Sequence, residues 1–273
     1  MAHSRAGVSR LFLDGQLAWI KHYGNGTRRL RLGALDWVVR RLGVLPLRPP
    51  PHHAGDAARR TEQRRLQELA SSRVNVPRVL GEGNSFLVLS DMGDTLSSLL
   101  KKADVAEAER LLAAAVRAIA EVHRAGLYLG QPLARNITID GQGRVGFLDF
   151  EEDPGEVMSI VQAQARDWLV FSAGTARHVP FDETRLAVLI GEVMADEPEE
   201  LRGLLNASVD RLGFLRPLTA RLGHRAAGIG KALRSLQRAL AGWGGIVLVL
   251  GLWLDLAHDG QLEVVELIGG LFD

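Results

Sequence analysis

The fold is decided by residues 136–150, which run Asn136-Ile137-Thr138-Ile139-Asp140-Gly141-Gln142-Gly143-Arg144-Val145-Gly146-Phe147-Leu148-Asp149-Phe150. Two short apolar runs flank a polar turn that contains two glycines, and this pattern predicts a β-hairpin. The hairpin carries Asn136 just before its first strand and Asp149 just after its second. An aspartate or asparagine at such a place often only caps a turn, so the pattern alone leaves both a functional and a local structural role open.

A second hairpin is predicted near the start of the chain. The apolar runs Leu11 to Leu13 and Leu17 to Ile20 flank Asp14-Gly15, a dipeptide that favours a tight β-turn. Lys21 then stands at the far end of the second strand, where an ordinary strand-end lysine is the alternative interpretation.

Strand and helix patterns continue in a set order along the chain. The apolar spacing predicts a helix from about Asp56 to Ser71, followed by strands at 76–80 and 86–89 with a turn at 81–84 between them. Asp104 is a suitable N-cap for a helix that ends at Gly126. Further helices are expected at 157–176, 182–195 and 197–212. Strands early and helices later predict an α+β fold.

The composition is that of an ordinary globular protein, with 47% hydrophobic and 24% charged residues in 273. Cysteine is absent, which excludes disulfides and thiolate metal sites and fits a reducing compartment, although a chain without cysteine can fold in any compartment. Only four of the 33 basic residues are lysines, and Lys21 is the only lysine among the first 100 residues. Its scarcity draws attention to its position.

The order of these motifs resembles the protein-kinase-like superfamily, in particular bacterial lipopolysaccharide core kinases, RIO-type kinases and aminoglycoside kinases. Phosphotransfer needs a cation on the nucleotide phosphates, a carboxylate that holds this cation, and ligands for Mg²⁺. The resemblance covers roughly residues 11–175 and is carried by four stretches: Ala18-Trp19-Ile20-Lys21; Thr61-Glu62-Gln63-Arg64-Arg65-Leu66 with Val76-Pro77-Arg78-Val79-Leu80; Phe86-Leu87-Val88-Leu89-Ser90-Asp91-Met92-Gly93; and residues 119–136 with Gly146-Phe147-Leu148-Asp149-Phe150.

The resemblance implies a two-lobed fold with a reduced N-lobe sheet and a mainly helical C-lobe, with ATP and Mg²⁺ as cofactors. It implies that Lys21 contacts the nucleotide phosphates and pairs with Glu62, although Glu68 on the same helix competes for this role. Asn136 and Asp149, 13 residues apart, would hold Mg²⁺. Asp167 would accept backbone N–H bonds that brace the catalytic loop.

Three departures from the family pattern concern the catalytic loop and its surroundings. The loop position of the catalytic aspartate holds Gln131, whose amide is far too weak a base to take a proton at neutral pH, although it can position a hydroxyl. The glycine-rich loop over the phosphates is missing. The acidic run at 151–153 follows Asp149-Phe150 and either supplies extra metal ligands or forms a solvated turn. His123 is expected to pack at the end of its helix.

The domain organisation follows from these assignments. The N-lobe is expected at 1–92, with a basic insertion at 24–55 and a helix at 56–71. The C-lobe is expected at 93–210, with the catalytic-loop hairpin at 127–150. A basic and then apolar helical segment occupies 211–273.

The composition of this C-terminal segment bears on whether the protein associates with a membrane surface. Residues 211–254 contain seven Arg or Lys and no acidic residue, and the apolar run 244–254 is too short to span a bilayer. A basic stretch beside an apolar one with Trp243 and Trp253 suits an anionic membrane surface, while a buried helix beside a solvated one is the equal alternative. Nucleic acid ranks lower as a partner, because aromatic residues make up only 5% of the chain.

The sequence therefore favours an ATP-Mg-dependent kinase-like phosphotransferase acting on a small-molecule or lipid-linked sugar substrate. Its expected location is the cytoplasm of a bacterium, with peripheral association at the inner membrane. One alternative is a catalytically impaired pseudokinase that binds nucleotide or acts as a scaffold. A second is a kinase-like AMP transferase. Gln131 favours the two alternatives, while Lys21, Asn136 and Asp149 favour retained nucleotide and metal binding.

Overall fold

The fold begins with the predicted N-terminal hairpin, in a computed structural model that describes residues 7–24, 36–37, 39–211 and 235–236. Strand β1 (Gly7–Leu13) pairs antiparallel with β2 (Gln16–His22). The two turn residues, Asp14 and Gly15, have φ angles of +49° and +76°. Positive φ at both positions is the geometry that the twist of a two-residue hairpin requires, and Asp-Gly adopts it readily.

Two more strands complete an antiparallel sheet of order β1-β2-β4-β3. Strand β3 (Val79–Gly83) begins three residues later and ends later than predicted, and β4 is Phe86–Ser90. The prediction at 76–80 was wrong in its start because Pro77 has no N–H to give to a ladder. The turn predicted at 81–84 is shorter than expected, because Gly81, Glu82 and Gly83 still pair with β4 after a register shift that follows Val79.

Helix α1 (Asp56–Ser71) has the predicted bounds and buries one face that includes Glu62, Leu66 and Leu69. In the insertion before it, residues 36–37 and 39–42 are helical and Leu45–Leu47 form a 3₁₀ turn. The apolar spacing of residues 30–42 indicates a short amphipathic helix here, and the start of this range lies outside the described residues.

The rest of the described chain is mainly helical around a second small sheet. Asp104 caps its longest helix as predicted, since its carboxylate accepts the Glu107 N–H at 2.8 Å. The second sheet has the order β5-β6-β7, and β6 and β7 form the hairpin expected from residues 136–150. The elements are β5 (Asp94–Thr95), α2 (Leu96–Leu100), α3 (Val105–Arg124), β6 (Ile137–Ile139), β7 (Val145–Phe147), α4 (Ile160–Thr175), α5 (Glu183–Met194) and α6 (Glu199–Arg211).

The core of this helical part is centred on α4, which packs against α6, while α3 packs against α5. Trp168 on α4 is the largest fully buried side chain. A small antiparallel sheet followed by a mainly helical part is the α+β, kinase-like arrangement that the sequence predicted.

The C-terminal segment predicted at 211–273 lies outside the described residues, apart from Arg211 and residues 235–236. The apolar run 244–254 is among the residues that are not described. Within the described part of the chain, none of the helices has the length and apolar character needed to cross a bilayer.

Candidate functional site

The centre of the site is the ammonium group of Lys21. Strand β2 lies between β1 and β4, with Lys21 opposite Val8 and Leu87, and the lysine side chain is only 14% exposed. Its Nζ atom lies 2.7 Å from a carboxylate oxygen of Glu62, 2.7 Å from one of Asp149 and 3.5 Å from one of Glu151. Burial by itself lowers the pKa of this lysine, but the carboxylates around it, Asp149 foremost, outweigh burial and hold the pKa well above its ordinary value. Lys21 is therefore a fixed positive charge.

Glu62 is the partner that α1 brings to this lysine. Its side chain is almost fully buried, and the same oxygen that faces Lys21 accepts a hydrogen bond from the Tyr23 hydroxyl at 2.7 Å. Its other oxygen accepts the backbone N–H of Phe150 at 3.4 Å. Glu68, the competing candidate, instead pairs with Arg65 at 2.6 Å on the same helix. Glu62 thus connects β2, α1 and the segment after Asp149.

Tyr23 was not singled out in the sequence. It lies two residues after Lys21, and the period of two along extended backbone puts the two side chains on the same face. The Lys21 ammonium lies 5.5 Å from the centre of the Tyr23 ring. Burial and the neighbouring Glu62 raise the pKa of the Tyr23 hydroxyl, so that it stays protonated and keeps donating to the carboxylate.

Asp149 and Asn136 meet at the base of the β6–β7 hairpin. The Asn136 Nδ2 atom lies 3.5 Å from Asp149 Oδ2 and donates to the backbone oxygen of Gln131 at 3.1 Å. Asp149 has φ of +71°, which is uncommon for a residue with a side chain and marks local strain of the kind found at functional sites. Burial raises the pKa of Asp149, but the charge of Lys21 outweighs burial, and the pKa lies below its ordinary value.

Gln131 makes a contact that the sequence did not reveal. Its Nε2 atom donates to a carboxylate oxygen of Glu152 at 2.6 Å. The side chain at the position of the missing catalytic aspartate therefore holds a carboxylate that comes from the segment after Asp149.

The acidic run at 151–153 divides into three separate roles, so neither sequence interpretation, extra metal ligands or a solvated turn, describes the whole run. Glu151 lies near Lys21, and burial raises its pKa. Glu152 accepts from Gln131. Asp153 is buried and accepts from the Tyr128 hydroxyl at 2.6 Å, from Arg64 at 2.7 Å and from the backbone of Gly155. Although burial raises the pKa of Asp153, these hydrogen bonds bring it below its ordinary value.

Asp167 braces the loop before Gln131, as the sequence predicted. Its two carboxylate oxygens accept the backbone N–H groups of Leu129 and Gly130, both at 2.6 Å, and its side chain is fully buried. A buried carboxylate with two backbone donors fixes the path of the loop that leads to Gln131.

His123 supports this brace from the end of α3. Its Nε2 atom lies 3.2 Å from Asp167 and its Nδ1 atom 2.8 Å from Glu197, which also accepts from the Trp168 indole at 2.9 Å. Burial lowers the pKa of His123, but hydrogen bonds to the two carboxylates outweigh it, and the pKa is raised. The expectation that His123 packs at its helix end describes its place but not its partners, which lie 44 and 74 residues further along the chain.

Two residues of the site, Asn136 and Asp149, suit the binding of Mg²⁺. The negative charge of the clustered carboxylates, in contrast, is already partly balanced by Lys21. The amide of Asn136 beside the Asp149 carboxylate offers the oxygen ligands that Mg²⁺ prefers, once the amide turns its oxygen toward the aspartate. The carboxylates of Glu62, Asp149 and Glu151 approach one another within 4.8 Å, but the cation among them is Lys21.

A cavity of about 650 Å³ lies next to the residues that follow β4. Its walls come from β1 and β2, from the residues after β4, from α2 and α3 and from the β6–β7 turn. Trp19, two residues before Lys21, lines the cavity and donates its indole N–H to Asp91 at 2.6 Å. Lys21, Glu62, Asn136 and Asp149 are not among its lining residues.

The sheet, the lysine–glutamate pair and the braced loop together form a kinase-like arrangement. Residues 21–135 match the model of the phosphotransferase enzyme family, the aminoglycoside kinase type of the protein-kinase-like superfamily. The match begins at Lys21, includes Glu62 and Gln131, and ends one residue before Asn136. The fold and this match support a kinase-like superfamily for the chain.

A curated relative is similar over a shorter stretch. It is an uncharacterized protein of Haemophilus influenzae, 36% identical over 88 residues, which cover 32% of this chain and 36% of that protein. The alignment spans little more than a third of the relative, so it carries no information on the activity of the whole chain.

Proposed function

We propose that this protein is an ATP-Mg-dependent phosphotransferase. The observation that carries the proposal is that the Lys21 ammonium lies 2.7 Å from both Glu62 and Asp149, although the three residues come from a strand, a helix and a loop far apart in sequence. Phosphoryl transfer depends mainly on positioning and on charge stabilisation, and this arrangement supplies both.

In this proposal each residue of the site has a role that follows from its charge. Lys21 binds the nucleotide phosphates, and Glu62 holds the ammonium in place through contacts that Tyr23 and Phe150 reinforce. Asn136 and Asp149 hold the Mg²⁺ ion, which neutralises charge on the phosphates when bound. Because Asp149 keeps a pKa below its ordinary value, it stays ionised at neutral pH and is ready to bind a cation.

The acceptor in this proposal is a small-molecule or lipid-linked sugar at the cytoplasmic face of the inner membrane. Support comes from the resemblance to lipopolysaccharide core kinases and from the basic, acid-free stretch 211–254. Co-sedimentation with vesicles tests the membrane part. Binding to phosphatidylglycerol vesicles that fails with phosphatidylcholine vesicles and weakens in salt is expected. Equal binding to both in high salt would contradict an electrostatic association.

A pseudokinase is the second candidate, and Gln131 is the observation that favours it. An amide takes no proton from an acceptor at neutral pH. The protein would then bind nucleotide through the same residues and act as a regulatory module. A transferase that moves AMP instead of phosphate uses the same binding residues and differs only in its products.

Thermal unfolding with Mg-ATP tests the shared part of these proposals. Ligand at 100 times its Kd stabilises the folded protein by about 2.7 kcal/mol, so a clear rise in Tm is expected. Asp149→Ala should remove the Mg²⁺-dependent part of this rise, while Asp196→Ala, a change at an exposed aspartate, should keep it. Wild-type protein with no shift at millimolar nucleotide contradicts all three functions.

Product analysis then separates the candidates. Mass spectrometry of a reaction with Mg-ATP shows phosphate and ADP for a phosphotransferase, and pyrophosphate with an AMP adduct for an AMP transferase. Binding without any product leaves the pseudokinase.

A further inference from the structure

In the family that the sequence resembles, the catalytic base lies in the loop that follows α3. In this chain the position is occupied by Gln131, whose side chain turns to Glu152 with 2.6 Å between Nε2 and the carboxylate oxygen. The backbone oxygen of Gln131 accepts from Asn136, and Asn136 lies beside Asp149. The Glu152 carboxylate is therefore hydrogen-bonded to the residue at the base position. The same residue is hydrogen-bonded to Asn136, a proposed metal ligand.

The two segments that meet here are packed tightly. Gly130 has φ of +89°, and a Cβ on this residue would lie 3.0 Å from the Cδ atom of Pro154 and 3.8 Å from the backbone oxygen of Glu152. Only glycine combines this backbone conformation with so close an approach. The glycine before Gln131 thus allows the segment of Glu152 to lie directly against the catalytic loop.

The Glu152 carboxylate is partly open to solvent and lies among polar side chains. Its side chain is 17% exposed, and the oxygen that does not face Gln131 lies 3.8 Å from Nδ1 of His52, which is beyond hydrogen-bond distance. Arg166 is close enough that Glu152 acts on its pKa, which burial lowers to about 10. Arg166 also donates to the backbone oxygen of Gly130 at 3.2 Å, so its position is tied to the same loop.

We propose that Glu152 is the general base of the reaction, held in place by Gln131. The inference rests on the proposed phosphotransferase function. The oxygen of an acceptor hydroxyl forms a bond to the γ-phosphorus of ATP while its proton passes to the Glu152 carboxylate. The bond between the γ-phosphorus and the β,γ-bridging oxygen breaks, and its electron pair leaves with ADP. Gln131 is a positioning residue, and the base has moved from the loop to the segment after Asp149.

The test uses water as the acceptor hydroxyl and the release of phosphate from Mg-ATP as the readout. Glu152→Gln keeps the shape and the hydrogen bond to Gln131 but removes the basic group. We expect the rate to fall by roughly 10²- to 10⁴-fold, the usual contribution of a general base. Mg-ATP binding in the thermal assay should be unchanged. Glu121→Gln, the same change at an exposed glutamate of α3, should leave the rate as it is.

A second variant shows whether the carboxylate is needed as a base or only for folding. Gln131→Asp combined with Glu152→Gln returns a carboxylate to the loop position, and part of the lost rate should come back. A Glu152→Gln rate equal to that of the wild type overturns the inference while the proposed function stands. Loss without recovery in the double variant also overturns it. Wild-type protein that binds Mg-ATP and releases no phosphate contradicts the proposed phosphotransferase itself.

Discussion

Replacing Lys21 with methionine tests whether the site is one electrostatic unit. The substitution keeps much of the side-chain volume and removes the cation that lies within 3.5 Å of all three carboxylates. Glu62 is then a buried charge whose remaining support is the Tyr23 hydroxyl and the Phe150 N–H. We expect the variant to fold with lower stability at neutral pH.

The expected loss of unfolding free energy depends on how exposed Lys21 and its carboxylate partners are. Removing one member of a buried ion pair costs roughly 3–5 kcal/mol, because the other charge is left uncompensated. Lys21 is 14% exposed and Asp149 is 31% exposed, so water reaches one side of the cluster. The partial exposure favours the lower end of this range, a loss of about 3 kcal/mol in unfolding free energy. In a domain of this size each kcal/mol shifts Tm by about 2–4 °C, so a fall of roughly 6–12 °C is expected.

The difference in unfolding free energy between the wild type and Lys21→Met should also depend on pH. In the wild type the pKa of Asp149 is lowered, so its contribution to stability is present above the unfolded pKa of about 3.9 and is lost as pH falls through the folded pKa. In Lys21→Met the three carboxylates repel one another without the cation between them, and protonation relieves this repulsion as pH falls. The deficit against the wild type should therefore shrink as pH falls from about 7 to about 5.

Urea unfolding of both proteins in metal-free buffer at the two pH values measures this deficit. Lys102→Met removes an exposed lysine and should change the unfolding free energy by no more than about 0.5 kcal/mol. The reasoning is refuted if Lys21→Met is as stable as Lys102→Met at neutral pH. A deficit that stays constant with pH also refutes it.

Three further predictions concern the brace of the catalytic loop. The raised pKa of His123 stabilises the protein fully below its unfolded value of about 6.5, and this contribution is lost as pH rises through the folded pKa. The unfolding free energies of wild type and His123→Gln should thus differ most near pH 6 and converge as pH rises; a gap that widens toward high pH contradicts this. Asp167→Asn turns one acceptor into a donor facing a backbone N–H and should cost roughly 1–3 kcal/mol in urea unfolding; unchanged stability would mean that the two 2.6 Å contacts do not hold the loop. Gly130→Ala, at φ of +89°, should cost roughly 1–3 kcal/mol by the same assay, and a neutral result would contradict the tight packing on Pro154.

Local signals in the sequence predicted most of the fold. The Asp14-Gly15 turn has the positive φ angles that its two residue types favour, and helix α1 has the bounds that its apolar spacing gave. These elements depend on neighbouring residues, so local patterns are enough to find them. The start of β3 depended on tertiary pairing with β4, and the apolar pattern around Pro77 gave the wrong boundary.

The site was predictable only where a family pattern supplied the spacing. Lys21, Glu62, Asn136 and Asp149 lie together in the structure, but their roles in binding phosphate and metal remain predictions. The partners of His123 and of Glu152 were not predictable, because each contact joins segments 21 or more residues apart. No periodicity within a strand or helix carries such information.

Helix α1 determines how these distant contacts depend on one another. Glu62 accepts from Phe150, Arg64 donates to Asp153 at 2.7 Å, and Arg65 donates to the backbone oxygen of Tyr128 at 2.6 Å. This one helix therefore touches both the segment after Asp149 and the loop before Gln131. A shift of this helix would move the partner of Lys21 and the support of the proposed base at the same time.

A double variant tests whether the charge cluster serves stability or the proposed ligand binding. A buried ion pair seldom stabilises a fold more than a well-packed apolar pair does, although breaking one member is costly. Lys21→Met combined with Glu62→Leu should therefore recover much of the stability that Lys21→Met loses, because it also removes the almost fully buried partner of Lys21, while Asp149, which is 31% exposed, keeps contact with water. If it does, the fold does not need these charges, and their use must be sought in what the site binds. Under the proposed function, phosphate beside the ammonium and a metal beside Asn136 and Asp149 would need this arrangement, whereas a scaffold that binds no nucleotide would not.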